Sequence, residues 1–509
     1  MTRTLITAVV MLLLASTAMA QQTYRRGPGC WRTATAQKRA ASRLAGPRKA
    51  ESNPAYQGQK KGLVILCEFT DKTFKTTHDR QKYNDILNTR GYTSSEGFQG
   101  SVADYFLAQS SGLFELDFDV VGPFTTKNDT KYYGKNDADG YDLRPEEMIM
   151  EMCKAADEEV NFADYDWDDD GEVDEVFVVY AGKGEADGGG ATTIWPHMWT
   201  LDEAGKRLTL DDKKINVYAC ANELDAYNSI NGIGTFCHEF SHCLGIADFY
   251  DLNYTGLYGM GSFDVMDQGL YGKNGFCPVG FSAFEKWSCG WQQPIVLSSE
   301  DVTVDSLKPL NKQGDFYVIY NDAYPDEYYV IENRQKTGWD AALPSKGLMI
   351  SHVDYDEEVW YNNIPNTILT EKEAKEQGYT CGNDHQRMTF FHANNNSRSP
   401  KLYPYSNRDS LTATSSPAAT LFNNNSLGGK LMMGSILNIK QNNDGTMSFQ
   451  YRATNPTIVT AINDPLDHTI LHSKGASTIY TLDGRVAGSS LERLRPGFYI
   501  VDRQKVVIK

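Results

Sequence analysis

The stretch from 235 to 251 reads TFCHEFSHCLGIADFYD, with histidines at 238 and 242, glutamate at 239, glycine at 245 and aspartate at 248. On a helix, two histidines four residues apart project from the same face, one turn apart. His238 and His242 can then bind one tetrahedral Zn²⁺, with Glu239 beside them as general base. Gly245 suits the left-handed residue that ends a helix, so the chain can turn back and bring Asp248 to a third ligand position.

The same stretch carries Phe236, Phe240 and Leu244 at an i, i+4, i+8 spacing, which predicts an apolar face that anchors the helix in a core. The alternative is an ordinary buried helix with two hydrogen-bonded histidines. A bare His-Glu-x-x-His spacing occurs by chance far more often than one extended by Gly245 and Asp248. The extended spacing therefore favours a metal site.

Three further residues are candidates around this site. Residues 262–269 read SFDVMDQG and look like the methionine turn beneath the zinc of metzincin-type peptidases, with Met266 supporting the site without binding the metal. Glu285, on a later predicted helix, is a rival third ligand to Asp248. His197, in the stretch WPHMW, either stabilises an oxyanion or is a structural histidine.

An acidic stretch upstream predicts a second metal site, with the residues Asp166, Asp168, Asp170, Glu172 and Asp174. Aspartates at alternate positions around Gly171 are typical of a structural Ca²⁺ loop. The twelfth position is Phe177 rather than Glu, so the loop is not a complete EF-hand, and the Glu172 carbonyl or a neighbouring loop has to complete the shell. A solvated acidic turn is the alternative.

These motifs resemble the immune inhibitor A-like secreted zinc metallopeptidases. Outside the zinc motif, the resemblance is carried by GLVILCEFTD (62–71), GSVADYF (100–106), QSSGLF (109–114), YDWDDDG (165–171), IWPH (194–197), GIGTF (232–236), YVIENR (329–334) and GLMISHVD (347–354). It implies a secreted zinc endopeptidase that acts on protein or peptide substrates, with Asp248 as the third ligand. The chain departs from the family at Ser241, where Gly is frequent, and at Cys243, but neither position is a ligand.

A rival from a different class is a calcium-stabilised surface adhesin or binding protein with a relict protease site. The sequence disfavours it, because the metal ligands and Glu239 are all present. A relict site would have no reason to keep the base.

The N-terminal residues 1–20 are typical of a signal peptide, with a basic start, an apolar stretch and the small-residue cleavage site Ala18-Met-Ala20. No later apolar stretch is long enough to span a bilayer. We therefore expect an exported protein that is secreted, extracellular or at the cell surface.

The net charge of −17 is unevenly distributed, because residues 1–50 carry nine Lys or Arg and no acid, which leaves −26 on the rest. The acidic body argues against nucleic acid and anionic membranes as partners. The basic arm predicts a prosegment over 21–58, with a solvated tail or a nucleic-acid-binding arm as alternatives.

Nine cysteines show no disulfide framework, and Cys30 is either a thiolate that caps the zinc in a latent form or an ordinary cysteine.

The pattern along the chain predicts an α/β (α+β) metzincin-like catalytic domain over 59–295. Strand-like runs at 60–69 and 173–180 and a helical stretch around 144–160 precede the zinc helix. A mixture of strands and helices before an active-site helix is typical of this class.

Residues 296–452 are rich in turns and short β patterns, which predicts a β-rich, sandwich-like accessory domain. A linker at 453–465 leads to a small β module at 466–509, with turns at Asp483-Gly484 and Pro496-Gly497. The module resembles the C-terminal sorting domains of Bacteroidetes-type bacteria. This implies the outer-membrane secretion machinery as a partner, and an ordinary terminal β module is the alternative.

Overall fold

The computed structural model describes residues 54–138, 140–454 and four short strands between 479 and 508. Among the described residues, those up to 454 belong to one compact unit and the four strands from 479 onward to a second. The predicted signal peptide, Cys30 and most of the predicted prosegment lie outside the described residues. So does the predicted linker from 455 onward, whereas its first residue, Ala453, ends a strand. None of the described helices is both long and apolar enough to cross a bilayer.

The first half of the larger unit combines parallel strands with helices. Its strands are β1 (Gly58–Glu68), β2 (Phe114–Thr125), β3 (Val176–Lys183), β4 (His197–Thr200), β5 (Leu208–Leu210), β6 (Lys213–Ile215) and β7 (Val217–Leu224). Its helices are α1 (Arg80–Asn88), α2 (Val102–Gln109), α3 (Thr130–Gly134), α4 (Pro145–Ala156), α5 (Gly234–Cys243) and α6 (Ala283–Ser288). Five strands form one sheet in the order β2-β1-β3-β7-β4, in which β4 is an antiparallel edge strand and the others are parallel.

Strand β1 shows why this sheet is buried on both faces. Leu63, Ile65 and Cys67 point into one core, and Val64 and Leu66 point into the other, because successive side chains of a strand alternate. Helix α4 packs in the first core, and helices α2 and α5 pack in the second. A continuous apolar run is what a parallel sheet covered on both faces requires.

The observed elements agree with the expected mixed α/β class. The helix expected around 144–160 is α4, and the strand expected at 60–69 is β1. The strand expected to begin at 173 begins at 176, directly after the acidic stretch.

The second half is dominated by antiparallel strands. Its strands are β8 (Ile295–Val296), β9 (Val302–Leu307), β10 (Tyr317–Tyr320), β11 (Glu327–Arg334), β12 (Gly347–Asp354), β13 (Met388–Phe390), β14 (Gly434–Gln441) and β15 (Met447–Ala453). Two short helices lie between β12 and β13, namely α7 (Glu357–Tyr361) and α8 (Glu371–Glu376). The strands form a five-stranded sheet, β13-β12-β11-β10-β8, and a three-stranded sheet, β14-β15-β9.

These two sheets share one apolar core, so the β-rich part of the prediction is correct. Ile331 and Ile350 from the larger sheet lie in the same cluster as Ile436 and Phe449 from the smaller one. The opposite face of the larger sheet, including Val330, belongs to the core that also contains α5. One face of the larger sheet therefore packs on the three-stranded sheet, and its other face packs in the core that contains α5.

The second unit contains the strands β16 (Ile479–Thr481), β17 (Val486–Gly488), β18 (Gly497–Val501) and β19 (Gln504–Ile508). They pair antiparallel in the order β17-β16-β18-β19. A small β module was expected here, and its role in sorting stays a prediction.

Candidate active site

Helix α5 presents the two histidines from a firmly packed position. On its opposite side, Phe236 stacks on Phe177 at a ring distance of 3.7 Å, and Phe240 packs on Phe106 at 4.8 Å. The helix ends where the sequence indicates, because Gly245 has φ +85°, the left-handed conformation that closes a helix without a Cβ penalty.

Both imidazoles have a fixed tautomer. His238 Nδ1 is 2.8 Å from the carbonyl oxygen of Val265, and His242 Nδ1 is 2.7 Å from that of Ile246. A carbonyl oxygen only accepts hydrogen bonds, so in the neutral rings both protons lie on Nδ1. The two Nε2 atoms, 3.2 Å apart, then direct lone pairs at the same point.

Asp248 brings a third acceptor to that point. Its Oδ1 lies 3.2 Å from His238 Nε2 and 3.4 Å from His242 Nε2, and its side chain is buried. Ligands at 2.0–2.1 Å from a tetrahedral zinc are about 3.3–3.4 Å from one another. The triangle of acceptor atoms therefore fits such an ion, and three acceptors this close repel one another without a cation.

The shifts in the pKa values of His238 and Asp248 agree with a site that requires positive charge. Burial alone would lower the pKa of His238, but the hydrogen bond to Asp248 and the charge of Glu239 raise it to about 9. Burial alone would raise the pKa of the Asp248 carboxyl, but the two imidazoles hold it well below its usual range.

Glu239 lies beside the triangle rather than in it. Ligand atoms of His238, Glu239 and His242 lie within 4.8 Å of one another, so the Glu239 carboxylate adjoins the triangle. The Glu239 carboxylate accepts a hydrogen bond from the Met198 backbone, its Oε2 has no hydrogen-bond partner, and burial raises its pKa. It can therefore exchange a proton with a molecule in the cleft.

Backbone groups of the turn at 264–267 bond to His238 and to Phe249, the residue after Asp248. The carbonyl of Val265 accepts from His238, and the carbonyl of Met266 accepts from the N–H of Phe249 at 2.8 Å. Met266 itself is fully buried in the core beneath the site.

A cleft of about 600 Å³ opens onto His238 and Glu239. Five aromatic side chains line it, namely Trp195, Tyr250, Tyr254, Tyr258 and Tyr271. Such a groove has room for several residues of an extended peptide.

His197 lies on the opposite face of the sheet from the cleft. It pairs with Cys220 across the sheet and is fully buried, with Nδ1 2.6 Å from the Trp195 carbonyl and Nε2 3.2 Å from the Tyr218 hydroxyl. Burial lowers its pKa to about 4. These contacts favour the structural alternative for His197 over a role at the oxyanion.

Glu285, the rival ligand, is engaged elsewhere. Its Oε2 accepts hydrogen bonds from the N–H and the hydroxyl of Ser282. Burial and the neighbouring Asp264 carboxylate raise its pKa. It is not part of the cleft wall. The contacts favour Asp248.

The acidic stretch folds into a turn around Gly171, which has φ +90°. Ligand atoms of Asp166, Asp168 and Asp174 lie within 4.8 Å of one another. The ammonium group of Lys213 is 2.9 Å from Asp166 Oδ2. The predicted calcium ligands Asp170 and Glu172 are outside this group of three, since Asp170 Oδ1 accepts from the Glu172 N–H and Glu172 pairs with Lys214.

All eight cysteines within the described residues are unpaired, and Cys381 alone among them is partly exposed. Cys237 and Cys243 lie in the core around α5.

Comparison with known families agrees with this geometry. Residues 53–293 match the family model described as immune inhibitor A peptidase M6, catalytic domain. This segment belongs to that family. We refer to residues 53–293 as the M6 segment.

Two curated relatives extend the comparison. The pre-pro-metalloprotease PrtV of Vibrio cholerae serotype O1 is 30% identical over 287 residues, which cover 47% of this chain and 31% of the relative. Immune inhibitor A of Bacillus thuringiensis subsp. alesti is 26% identical over 295 residues, which cover 47% of this chain and 41% of the relative. The chain thus spans 31% and 41% of the length of these two relatives. The family and both relatives support a metallopeptidase.

One residue in contact with the site lies outside the M6 segment. Asn363, in the loop after α7, hydrogen-bonds both to the backbone and to the carboxylate of Asp248. The sequence gives no signal for this contact, because Asn362-Asn363 reads as an ordinary turn.

Proposed function

We propose that the protein is a secreted zinc endopeptidase that hydrolyses peptide bonds of extracellular proteins. In this proposal His238, His242 and Asp248 bind the zinc and Glu239 is the general base. The observation that carries the proposal is the triangle of three converging acceptor atoms with Glu239 beside it at an open cleft.

When bound, zinc would polarise the scissile carbonyl and acidify a water molecule. Glu239 takes a proton from the attacking water and returns it to the leaving amine. Its raised pKa suits a group that carries a proton during part of the reaction. The carbonyls of Val265 and Ile246 keep the imidazoles in the tautomer that binds a metal through Nε2, and Met266 supports the turn beneath them.

The substrate is an extended segment of a protein, which the aromatic wall of the cleft holds by packing. Export is proposed from residues 1–20. The word pre-pro in the name of the Vibrio relative supports a removable N-terminal segment here, over 21–58.

The decisive test is Glu239→Gln in the purified full chain. We expect the rate of casein cleavage to fall roughly 10²–10⁴-fold, because the base is lost. Zinc content measured by atomic emission should stay near one equivalent, because Glu239 is not a ligand. Glu175→Gln is the matched control, since Glu175 is also a buried carboxylate but is absent from the cleft wall, and it should retain activity.

Two outcomes would overturn the proposal. If a chelator leaves the rate of cleavage unchanged, the reaction does not need a metal. A wild-type chain that binds zinc yet cleaves no protein, with or without its first 58 residues, would favour the adhesin with a relict site.

For the acidic turn we propose a structural Ca²⁺, supported by the three aspartates that share one point. Calcium should raise the melting temperature of the wild type, and Asp168→Ala should remove that increase. Asp384→Ala, at an exposed aspartate elsewhere, serves as the control. If Asp168→Ala and Asp170→Ala both leave the calcium-induced increase intact, this turn is not the calcium site.

A further inference from the structure

We propose that Asn363 is a positioning residue of the metal site, which holds the Asp248 carboxylate so that Oδ1 faces the two imidazoles. The inference rests on the proposed function, because it assigns a role toward the zinc. It adds to the site a residue that lies about 70 positions beyond the end of the M6 segment.

Two hydrogen bonds join Asn363 to Asp248. The Asn363 side-chain oxygen accepts a hydrogen bond from the Asp248 N–H at 2.5 Å, and its Nδ2 donates to Asp248 Oδ2 at 2.7 Å. One amide therefore fixes both the backbone and the carboxylate of the same residue. Asp248 Oδ2 is engaged by Asn363, whereas Oδ1 lies 3.2 Å and 3.4 Å from the two Nε2 atoms.

An amide satisfies both halves of this contact. It offers an acceptor and a donor on one planar group, whereas an ionised carboxylate only accepts. Asn363 is fully buried, so water cannot replace either bond if the side chain is removed. The residue also has φ +55°, a left-handed conformation that asparagine tolerates better than most residues.

The loop that carries Asn363 is itself fastened along the ligand segment. Asn366 Nδ2 donates to the Phe249 carbonyl at 2.7 Å, and the Thr367 hydroxyl accepts from the Leu252 N–H at 2.7 Å. Asn383 Nδ2 donates to the Ile364 carbonyl at 2.8 Å and closes the loop from the other side. The position of Asn363 is thus set independently of its own contact with Asp248.

A partner that orients a metal ligand typically changes metal affinity by 10–100-fold when it is removed. Without Asn363, the Asp248 carboxylate can rotate, and either oxygen can face away from the imidazoles. We therefore expect zinc to bind roughly 10–100-fold more weakly and to dissociate faster.

The test compares Asn363→Gly with Asn366→Ala, both in the full chain carrying Glu239→Gln to prevent self-digestion. Glycine keeps the left-handed backbone, and Asn366→Ala removes a buried amide of the same loop that touches Phe249 but not the ligand. Zinc affinity is measured by competition with a chromophoric chelator. The visible absorption spectrum of the Co²⁺-loaded protein reports on ligand geometry.

We expect Asn363→Gly to weaken zinc binding and to change the cobalt spectrum. Asn366→Ala, which loosens the loop but keeps both hydrogen bonds to Asp248, should lower the melting temperature and weaken zinc binding less. Asn363→Asp, which has the same shape but presents a carboxylate to Asp248 Oδ2, should also weaken zinc binding and keeps the test valid if the glycine variant does not fold. Equal weakening by Asn363→Gly and Asn366→Ala, or unchanged zinc affinity in both Asn363 variants, would overturn the inference. A parent chain that binds no zinc would instead overturn the proposed function on which it rests.

Discussion

Replacement of Arg334 by methionine should sharply destabilise the protein. Arg334 is fully buried at the end of β11 and makes four hydrogen bonds. Its Nε and one terminal nitrogen bond to the two oxygens of Asp340 at 3.2 and 2.7 Å, the other terminal nitrogen bonds to Glu332 at 3.1 Å, and the Gly280 carbonyl accepts at 3.0 Å. The guanidinium thus joins β11 to the chain just before α6.

The size of the effect follows from what remains after the substitution. Methionine fills much of the same space but leaves the carboxylates of Asp340 and Glu332 buried without the guanidinium that bonds to both of them. Removal of one partner of a buried ion pair typically costs about 3–5 kcal/mol. We expect a loss of this size in the free energy of unfolding.

The assay is equilibrium unfolding in urea of Arg334→Met, in a Glu239→Gln background. Arg452→Met is the matched control, because Arg452 pairs with Asp301 at 2.6 Å but both side chains are half exposed. Such a surface pair contributes about 0–1 kcal/mol. A loss at Arg334 no larger than that at Arg452 would refute the reasoning.

Three further predictions concern other parts of the chain. Gly234→Ala should lower the free energy of unfolding in urea by about 1–3 kcal/mol, because its Cβ would lie 1.9 Å from the Leu270 carbonyl oxygen. The control Gly429→Ala should be nearly neutral, because its Cβ would have no neighbour closer than 3.6 Å. Burial raises the pKa of Asp142 from 3.8 to about 8, so the native state keeps a proton that the unfolded state releases. The free energy of unfolding should therefore fall as pH rises from about 4 to about 8, and Asp142→Asn should reduce that slope in unfolding curves measured across this range. Residues 21–50, added in trans to the mature enzyme, should inhibit cleavage less as salt increases, and inhibition that is insensitive to salt would contradict an electrostatic mechanism.

The parts of the structure that follow local rules were predictable from the sequence. The histidine spacing, the apolar stripe of Phe236 and Phe240, and the terminating Gly245 all depend on residues within one or two helical turns. The alternation along β1 is equally local. Each of these features has the geometry that its pattern predicts.

The contacts that complete the site were not predictable, because they join distant segments through loops. Asn363 and Asp248 are 115 residues apart, and nothing in either neighbourhood indicates the pair. Arg334 entered the sequence analysis only through a family resemblance, and its burial between two carboxylates depends on how β11 packs on α6. The division at 295 between a catalytic and an accessory domain stays a prediction, although Val330 beyond that position shares a core with Phe240 before it.

The contact between Asp248 and Asn363 also has a consequence for when the site can form during synthesis of the chain. A ribosome adds about 5–20 residues per second, so the 115 positions between them take roughly 6–23 s to synthesise. During that interval the histidines of α5 already exist, but the segment that holds Asp248 in place does not. In the proposed function, a nascent chain therefore passes through synthesis with an incomplete metal site, and cleavage of other proteins begins only when most of the polypeptide has been made.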